Sequence, residues 1–279
     1  GSARLTTGGS ARLTTGGSTG PASPFDKLRR LSAGFGSAQE RLSAGRGPMM
    51  IVAVHQPQYL PWLGYFDKMD RCDLFVFLDS VQFKKNEWQN RNRIKTAGGW
   101  QYLTVPVLHR FPQSILDVQI DNHGDWARKH LQALTVHYGK APYFSDHLPF
   151  LQEVYAGRWE SLCELSLYLT QYLAASMGIR AKVARSSEGQ FNDEPTERLI
   201  EICRWAGADI YLAGAGGFNY MRLDRFQQEG IRVLRQEFEA PIYPQRYGRF
   251  EPNLSIVDLL FNCGPQSLEV IRSTGKEAA

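Results

Sequence analysis

The sequence lacks the features that mark membrane, secreted and disulfide-stabilised proteins. It has no uninterrupted apolar run of about 18 residues, so no membrane-spanning helix is predicted, and its amino terminus lacks the apolar core of a secretory signal. Only four cysteines occur in 279 residues, and none forms a CxxC pair, which disfavours a zinc site or a disulfide framework. We therefore expect a cytoplasmic protein with reduced thiols.

The sequence also has little net charge once its first 48 residues are set aside. The chain carries 32 basic and 28 acidic residues, but residues 1–48 hold seven of the basic and two of the acidic ones. The remaining 25 basic and 26 acidic residues give no reason to expect a nucleic-acid platform. Residues 1–48 begin with a perfect tandem repeat of GSARLTTG and are poor in apolar side chains. We interpret them as a disordered leader or tag, or as translated sequence upstream of a start at Met49 or Met50.

Several common catalytic signatures are missing as well. The glycines at 214–217 fit neither GxGxxG nor a Walker loop, and no GxSxG elbow indicates a hydrolase. His123, His130 and His137 recur every seven residues, a wider spacing than metal ligands on one helix prefer. We therefore expect no metal, and the only cofactor indicated is a nucleotide or another phosphate-bearing donor.

From residue 49 onward, short apolar runs alternate with helical patterns. Continuous runs at 50–54 and 74–78 predict buried strands, and leucines recurring at threes and fours predict a helix at about 159–177. Further strands are predicted at 102–107, 115–120, 179–184, 209–213 and 231–234, and further helices at 65–71, 126–138, 196–205, 223–228 and 254–262. The alternation predicts one α/β domain over 49–279, with a mostly parallel Rossmann-like sheet, helices on both faces and a helical insert at 126–177.

The first candidate for a site is the loop that follows the strand at 50–54. It reads HQPQYLPWLGY from His55 to Tyr65, and its two prolines hold several polar side chains in a rigid segment. Open α/β sheets bind ligands at the carboxyl ends of their strands. We predict catalytic roles for His55 and Tyr59 and substrate-binding roles for Gln56 and Tyr65. The alternative is that His55 is structural, as a lone histidine after a strand often is.

The second candidate is the basic segment QFKKNEWQNRNRIK at 82–95, which follows the strand at 74–78 and should reach the same sheet edge. Guanidinium groups bind phosphate or carboxylate bidentately, and an aromatic face can stack on a base or sugar. In an extended segment Arg91 and Arg93 would point to one side. The residues predicted to bind substrate here are Lys85, Trp88, Arg91, Asn92 and Arg93. The alternative is a solvated basic loop.

Two weaker candidates come later in the chain. Glycines after the strand at 209–213 let a backbone approach a ligand, and their amides can hold an anion, unless the segment is only a tight turn. On the apolar helix at 254–262, a carboxylate and an amide lie four residues apart, so they either structure the core or close one wall of the site. The substrate-binding residues predicted from these segments are Gly214, Gly216, Gly217, Tyr220, Asp258 and Asn262.

The motifs together resemble the WbqC-like protein family. The resemblance rests on HQPQYLPWLGYFDKM at 55–69, FLDSVQFKKNEWQNRNRIK at 77–95, WQYLTVPV at 100–107, DIYLAGAGGFNYM at 209–221 and LSIVDLLFNCG at 254–264. The family is named for genes of bacterial O-antigen and surface-polysaccharide clusters. The resemblance implies a biosynthetic transferase that attaches an acyl or aminoacyl group to an amino sugar or another amine, but it carries over no catalytic residue.

These observations lead to three functional hypotheses. The first is a transferase or amide-forming enzyme that moves an acyl or aminoacyl group from an anionic activated donor to an amine, with a small molecule as its substrate. The second is a non-catalytic binder of a nucleotide-sugar or metabolite. The third is a scaffold, in which Trp62, Trp88 and Phe111 would form an exposed patch. The sequence does not indicate an oligomeric state.

Overall fold

The structure is a computed structural model that describes residues 49–218 and 221–274. The leader predicted at 1–48 and the predicted substrate-binding Tyr220 therefore lie outside the described residues. The strands are β1 (Ile51–His55), β2 (Leu74–Phe77), β3 (Arg91–Thr96), β4 (Gly99–Thr104), β5 (Val107–Leu108), β6 (Gln119–Ile120), β7 (Lys182–Arg185), β8 (Ile210–Ala213) and β9 (Arg232–Arg235). The helices are α1 (Leu63–Asp70), α2 (Trp126–Tyr138), α3 (Phe144–Ala156), α4 (Leu162–Met177), α5 (Pro195–Ala206), α6 (Ala215–Phe218), α7 (Leu223–Gln228), α8 (Ile256–Cys263) and α9 (Ser267–Arg272).

Five of the strands form one parallel sheet in the order β7-β2-β1-β8-β9. Along the chain these are the third, second, first, fourth and fifth strands, which is the doubly wound Rossmann order 3-2-1-4-5-6 without its sixth strand. The chain builds outward from β1 in one direction through β2 and β7, then returns to the other side of β1 for β8 and β9. The direction of winding therefore reverses between β1 and β8.

The sheet is covered by helices on both faces, because its strands alternate two sets of apolar side chains. Ala53 and Phe75 belong to the larger core, which also contains residues of α1, α4 and α8. Val52 and Val76 belong to the smaller core, which contains residues of α5 and α7. Both faces of the central strands are thus buried, which explains why their sequences are continuously apolar. The predicted α/β class with a Rossmann-like sheet and helices on both faces is confirmed.

The segment 126–177, predicted as a helical insert, folds as the three helices α2, α3 and α4. The sequence predicted α2 and α4 but not α3, whose Pro149 is unusual inside a helix. The predicted strand at 102–107 is divided, since β4 ends at Thr104 and β5 begins at Val107. The predicted strand at 115–120 is reduced to the two residues of β6. In the described part of the chain, no helix is both long and apolar enough to cross a bilayer.

A separate antiparallel hairpin, β3–β4, packs against the loop that follows β1. Its register pairs Arg93 with Tyr102 and Asn92 with Leu103. Side chains alternate between the two faces of the hairpin. Asn92 points towards the loop and donates from Nδ2 to the carbonyl of Leu60 at 2.7 Å. The hairpin therefore supports the loop, and its other face is left for contacts with solvent or a ligand.

Candidate functional site

A cavity of about 310 Å³ lies at the carboxyl edge of the parallel sheet, between the ends of β1 and β8. This is the point where the winding of the sheet reverses, the usual position of ligand sites in open α/β folds. We call it the switch-point cavity. Its lining residues are Val54, His55, Gln56, Trp62, Lys68, Leu78, Leu199, Tyr211, Gly214, Ala215, Gly216, Gly217, Gln236 and Phe238.

His55 is the last residue of β1, and its ring is fixed on one side. Its Nδ1 lies 3.1 Å from the carbonyl oxygen of Gln56, and because a carbonyl only accepts, Nδ1 carries the proton. The Tyr65 ring packs against the imidazole at 4.5 Å between centroids, and its hydroxyl donates to the same carbonyl at 3.2 Å. Burial, and next the charge of Lys68, lowers the pKa of His55 to about 3. The imidazole is therefore neutral at physiological pH, with an unprotonated Nε2.

Lys68 enters the cavity from α1, a helix packed so tightly that seven of its eight residues are buried. Its side chain is almost fully buried, and its ammonium donates to the carbonyl of Val54 at 2.8 Å. Burial lowers the pKa of Lys68 to about 8. The Nζ lies 3.6 Å from the position that a Cβ on Gly214 would occupy. The glycine therefore leaves the space beside the ammonium open.

Two amide side chains add hydrogen-bonding groups whose orientation their partners determine. Gln236 donates from Nε2 to the carbonyl of Gly64 and to Asp67 Oδ2, both at 2.7 Å, so its Oε1 is left as an acceptor. Gln56 accepts at Oε1 from Gln89 Nε2 at 2.7 Å, which leaves its own Nε2 as a donor. The cavity thus offers one ammonium, one amide donor and two acceptors, the second acceptor being Nε2 of His55.

Two aromatic side chains, Trp62 and Phe238, also line the cavity. Trp62 precedes α1 and packs edge-on against Phe238 at 5.5 Å between centroids. Its ring covers Gly64, where a Cβ would overlap the indole, so only glycine allows this position. Trp62 therefore lies beside the cavity and not on an exposed patch, unlike Phe111, which is 81% exposed.

The structure brings together several of the residues predicted for the site. His55, Gln56, Gly214, Gly216 and Gly217 all line the switch-point cavity. Tyr65 lies one layer behind, against the imidazole. These residues come from the ends of β1 and β8, as expected for neighbouring parallel strands.

Tyr59, predicted as catalytic, does not line the cavity. It is fully buried, and its hydroxyl lies 2.8 Å from His130 Nδ1 and 2.5 Å from the Tyr155 hydroxyl. Both partners belong to the helices of segment 126–177. The next residue, Leu60, lies in the left-handed region with a φ of 46°, so the chain turns directly after Tyr59.

Asp258 and Asn262 also lie away from the cavity. Asp258 is fully buried and accepts from the hydroxyls of Tyr138 at 2.8 Å and Tyr243 at 2.9 Å. Asn262 donates from Nδ2 to the Asp258 carbonyl at 2.6 Å. The sequence left open whether these two residues structure the core or close a wall of the site. The observed contacts are those of a core carboxylate, which links α8 to α2 and to the segment that contains Tyr243.

Arg91 and Arg93 lie on the outer face of the hairpin, and neither lines the cavity. Arg91 stacks on Tyr102 at 4.4 Å, and Arg93 stacks on Trp100 at 5.0 Å and on Trp88 at 5.7 Å. We call these five side chains the arginine–aromatic face. Two more predicted residues lie outside the cavity. Lys85 is exposed in the turn before the hairpin, and Asn92 is buried on the inner face of the hairpin. The predicted clamp is therefore not assembled beside His55.

The sequence analysis did not select Lys68 or Gln236. Gln236 directly follows β9, so the rule that placed the other candidates at the carboxyl ends of strands would have found it. Lys68 gave a weaker signal, a single basic residue four positions after Gly64 in a short helix that also contains Asp67 and Asp70. Its importance depends on its burial, which the sequence does not reveal.

A larger cavity of about 690 Å³ lies at the opposite, amino-terminal edge of the sheet. Its acidic groups already have partners: Asp70 accepts two hydrogen bonds from Arg272, and Asp73 accepts from the amide of Ile51 at 2.8 Å. Among the described residues, no group of three or more His, Cys, Asp or Glu side chains could hold a metal ion. The switch-point cavity is therefore the better candidate for chemistry.

Comparison with known proteins identifies relatives but no characterised activity. A protein of Mycobacterium tuberculosis, described as the uncharacterized protein Rv1507c, is 37% identical over 228 residues, which cover 80% of this chain and 98% of the relative. No solved structure matches the chain. The model of the WbqC-like protein family matches residues 56–270, a range that includes most of the cavity lining. The chain therefore belongs to the WbqC-like protein family.

Proposed function

We propose that this protein is a biosynthetic transferase or amide-forming enzyme that moves an acyl or aminoacyl group from an anionic activated donor to an amine in the switch-point cavity. The observation that carries the proposal is the pairing of a neutral imidazole with a buried ammonium in one cavity. The first can accept a proton from a nucleophile, and the second can hold an anionic group of a substrate.

In the proposed reaction the amine nitrogen attacks the acyl carbon of the donor. A carbon–nitrogen bond forms, and the bond between the acyl carbon and its phosphate or thiolate leaving group breaks. The amine proton passes to Nε2 of His55, because Nδ1 already carries the proton donated to Gln56. It then leaves with the departing group or with solvent, which restores the neutral imidazole.

The low pKa of His55 makes it a weak base in the free protein, and substrate binding would raise that pKa. The positive charge of Lys68 is one cause of the lowering. An anionic group bound to the ammonium would offset this charge and favour the protonated imidazole. The base would then gain strength only when substrate is present.

The test is amide formation by the purified protein with panels of acyl phosphates or thioesters and primary amines, followed by mass spectrometry. We expect His55→Gln to reduce product formation at least about a hundredfold, since general base catalysis contributes about 10²–10⁴-fold. The exposed His123 provides the matched control as His123→Gln. Undiminished turnover by His55→Gln would show that His55 is not the base.

A non-catalytic metabolite-binding protein is the second candidate. It is favoured by the same low pKa, because an imidazole that stays neutral serves well as a fixed hydrogen-bond acceptor. The cavity is near the lower limit of ligand sites, about 300–1,000 Å³, so a small metabolite fits this alternative better than a nucleotide-sugar. A ligand recovered unchanged after incubation with every donor and acceptor would favour binding over catalysis.

The cellular setting forms part of the proposal. All four cysteines are buried and none is in a disulfide, as in a protein of the reducing cytoplasm. The link to polysaccharide or O-antigen synthesis rests on the family resemblance alone. A product that contains an amino sugar would support that link.

A further inference from the structure

The Lys68 ammonium has no counter-charge among the residues that the structure describes, which is unusual for so buried a group. Only 3% of the residue is exposed, and the one hydrogen bond of Nζ goes to the neutral carbonyl of Val54. No described carboxylate forms an ion pair with it; the neighbouring Asp67 is instead held by Gln236 and Arg71. Because a buried charge is costly unless it is paired, the fold retains an ammonium that an anion can stabilise.

The space beside the ammonium is open and lies on the cavity side. A Cβ on Gly214 would be 3.6 Å from Nζ and 3.9 Å from Gln236 Oε1. The cation and the free acceptor thus flank one small region that the glycine leaves vacant. An anion at Lys68 would have an oxygen acceptor close by, which attracts a positive or hydrogen-bearing group and repels a second negative one.

The complementary ligand therefore carries a negative group and, close to it, a nitrogen or oxygen with hydrogen to donate. The remaining walls include apolar side chains, among them Leu78, Leu199 and Phe238. A volume of about 310 Å³ limits the ligand to the size of a single small metabolite. A polyphosphate would fit poorly, because one ammonium would face several negative charges next to a carbonyl oxygen.

We propose that the switch-point cavity binds a small α-amino acid, with its carboxylate on Lys68, its amine on Gln236 Oε1 and its side chain against the apolar wall. The inference rests on the proposed function in one respect: the bound amine would be the acceptor whose proton His55 takes. The binding site itself stands on the contacts of Lys68 and Gln236 and does not require turnover.

The test is calorimetric titration of the full chain with four probes that separate these contacts. L-leucine carries both groups, 4-methylpentanoate only the carboxylate, L-leucinamide only the amine, and inorganic phosphate is a different anion. We expect L-leucine to bind, the loss of its carboxylate to weaken binding about 30-fold or more, and the loss of its amine to weaken it about tenfold. Equal binding of L-leucine and L-leucinamide would overturn the assignment, as would phosphate binding more tightly than L-leucine.

Two variants locate the site, and a third serves as control. Lys68→Met should weaken L-leucine binding about 30-fold or more, and Gly214→Ala should weaken it by placing a methyl group beside Nζ. Lys84→Met removes an exposed lysine outside the cavity and should change nothing. Thermal stability without ligand shows which variants are folded. Unchanged affinity in folded Lys68→Met would refute the proposal, whatever the outcome of the turnover assay with His55→Gln.

If Lys68→Met does not fold, Gly214→Ala tests the position of the carboxylate while Lys68 is still present. The methyl group would be in ordinary contact with the ammonium and does not clash with the backbone. Binding of L-leucine to this variant at full affinity would then exclude the proposed position of the carboxylate. Reduced affinity for L-leucine, with unchanged affinity in Lys84→Met, would support it.

Discussion

The arginine–aromatic face and the switch-point cavity both hold cations for which the described residues provide no ion pair, and the two regions stabilise them differently. On the arginine–aromatic face, Arg91 and Arg93 stack on rings that are themselves partly exposed, such as Trp100 at 43%. In the switch-point cavity, Lys68 is removed from solvent and bonds one backbone carbonyl. Water and aromatic faces stabilise the guanidinium groups, whereas the ammonium depends on what enters the cavity.

The comparison shows why the number of basic residues in a segment is a poor guide to an anion site. The segment 82–95 is the richest in Lys and Arg near the sheet edge, but its arginines are accommodated by their own neighbours. A single lysine in a buried helix carries the larger electrostatic penalty. A charge indicates a ligand when its surroundings fail to stabilise it.

The largest expected effect is the change in the free energy of unfolding that His55 causes at acidic pH, which tests whether the cavity is desolvated. Its pKa is about 3 in the folded protein against 6.5 ordinarily, so the unfolded chain binds a proton first and stability falls as pH falls from 6.5 towards 3. His55→Gln removes this contribution. Urea unfolding should show the variant losing about 3 kcal/mol less than wild type between neutral pH and about pH 4. An equal loss in both proteins would mean that the imidazole is not desolvated.

A smaller effect should accompany the loss of the buried ammonium. The folded pKa of Lys68 is lowered from 10.5 to about 8, so the penalty is fully present below pH 8 and disappears as pH rises through 10.5. Removal of the charge by Lys68→Met should raise stability at neutral pH by about 2 kcal/mol, after the lost bond to Val54 is subtracted. The gain should vanish above about pH 10.5. A variant less stable than wild type at neutral pH would mean that the charge is already compensated.

An intermediate loss of unfolding free energy is expected at Tyr59, where the loop that follows β1 enters the core. Tyr59→Phe leaves His130 and Tyr155 without their shared phenol, which should reduce stability by about 1 to 2 kcal/mol. Calorimetric titration should show unchanged ligand affinity, because the hydroxyl does not reach the cavity. A large loss of affinity with little loss of stability would place Tyr59 in the functional site after all.

The smallest effect should come from the arginine–aromatic face. Arg93→Ala removes stacking on Trp88 and Trp100 and one bond to the Asn253 carbonyl, all near the surface. At the low end of their range, exposed cation–π contacts contribute about 0.5 kcal/mol each, so the two together should lower the unfolding free energy by about 1 kcal/mol. Affinity for a ligand of the cavity should not change. A strong loss of that affinity would show that the arginine–aromatic face and the switch-point cavity form one site, as the sequence analysis predicted.

The parts of the fold that could be read from the sequence are those set by local pattern. Continuous apolar runs identified β1, β2 and β8, because strands buried on both faces contain few polar residues. The helix predicted at about 159–177 ends at Met177 as expected, because Gly178 adopts the left-handed conformation that closes α4. Where the pattern was broken, as at Pro149 within α3, sequence reasoning missed the element.

The candidate site was only partly accessible in the same way. Residues at the carboxyl ends of parallel strands, such as His55 and Gly214, could be placed together because strand direction fixes the shared edge. Tyr59 was assigned to that edge because it belongs to the same loop, but its hydroxyl lies in the core between His130 and Tyr155. The direction of a side chain within a loop depends on backbone geometry that composition does not encode.

The sequence by itself determined the alternation of strands and helices, and the imidazole and glycines that follow two strands of the sheet. Only the tertiary structure decided which charge is left without a partner. Burial and pairing depend on neighbours far away in the chain: Gln236 holds Asp67, and Gly214 leaves room beside Lys68. The energy of a charge is set by everything around it, and those surroundings exist only once the chain has folded.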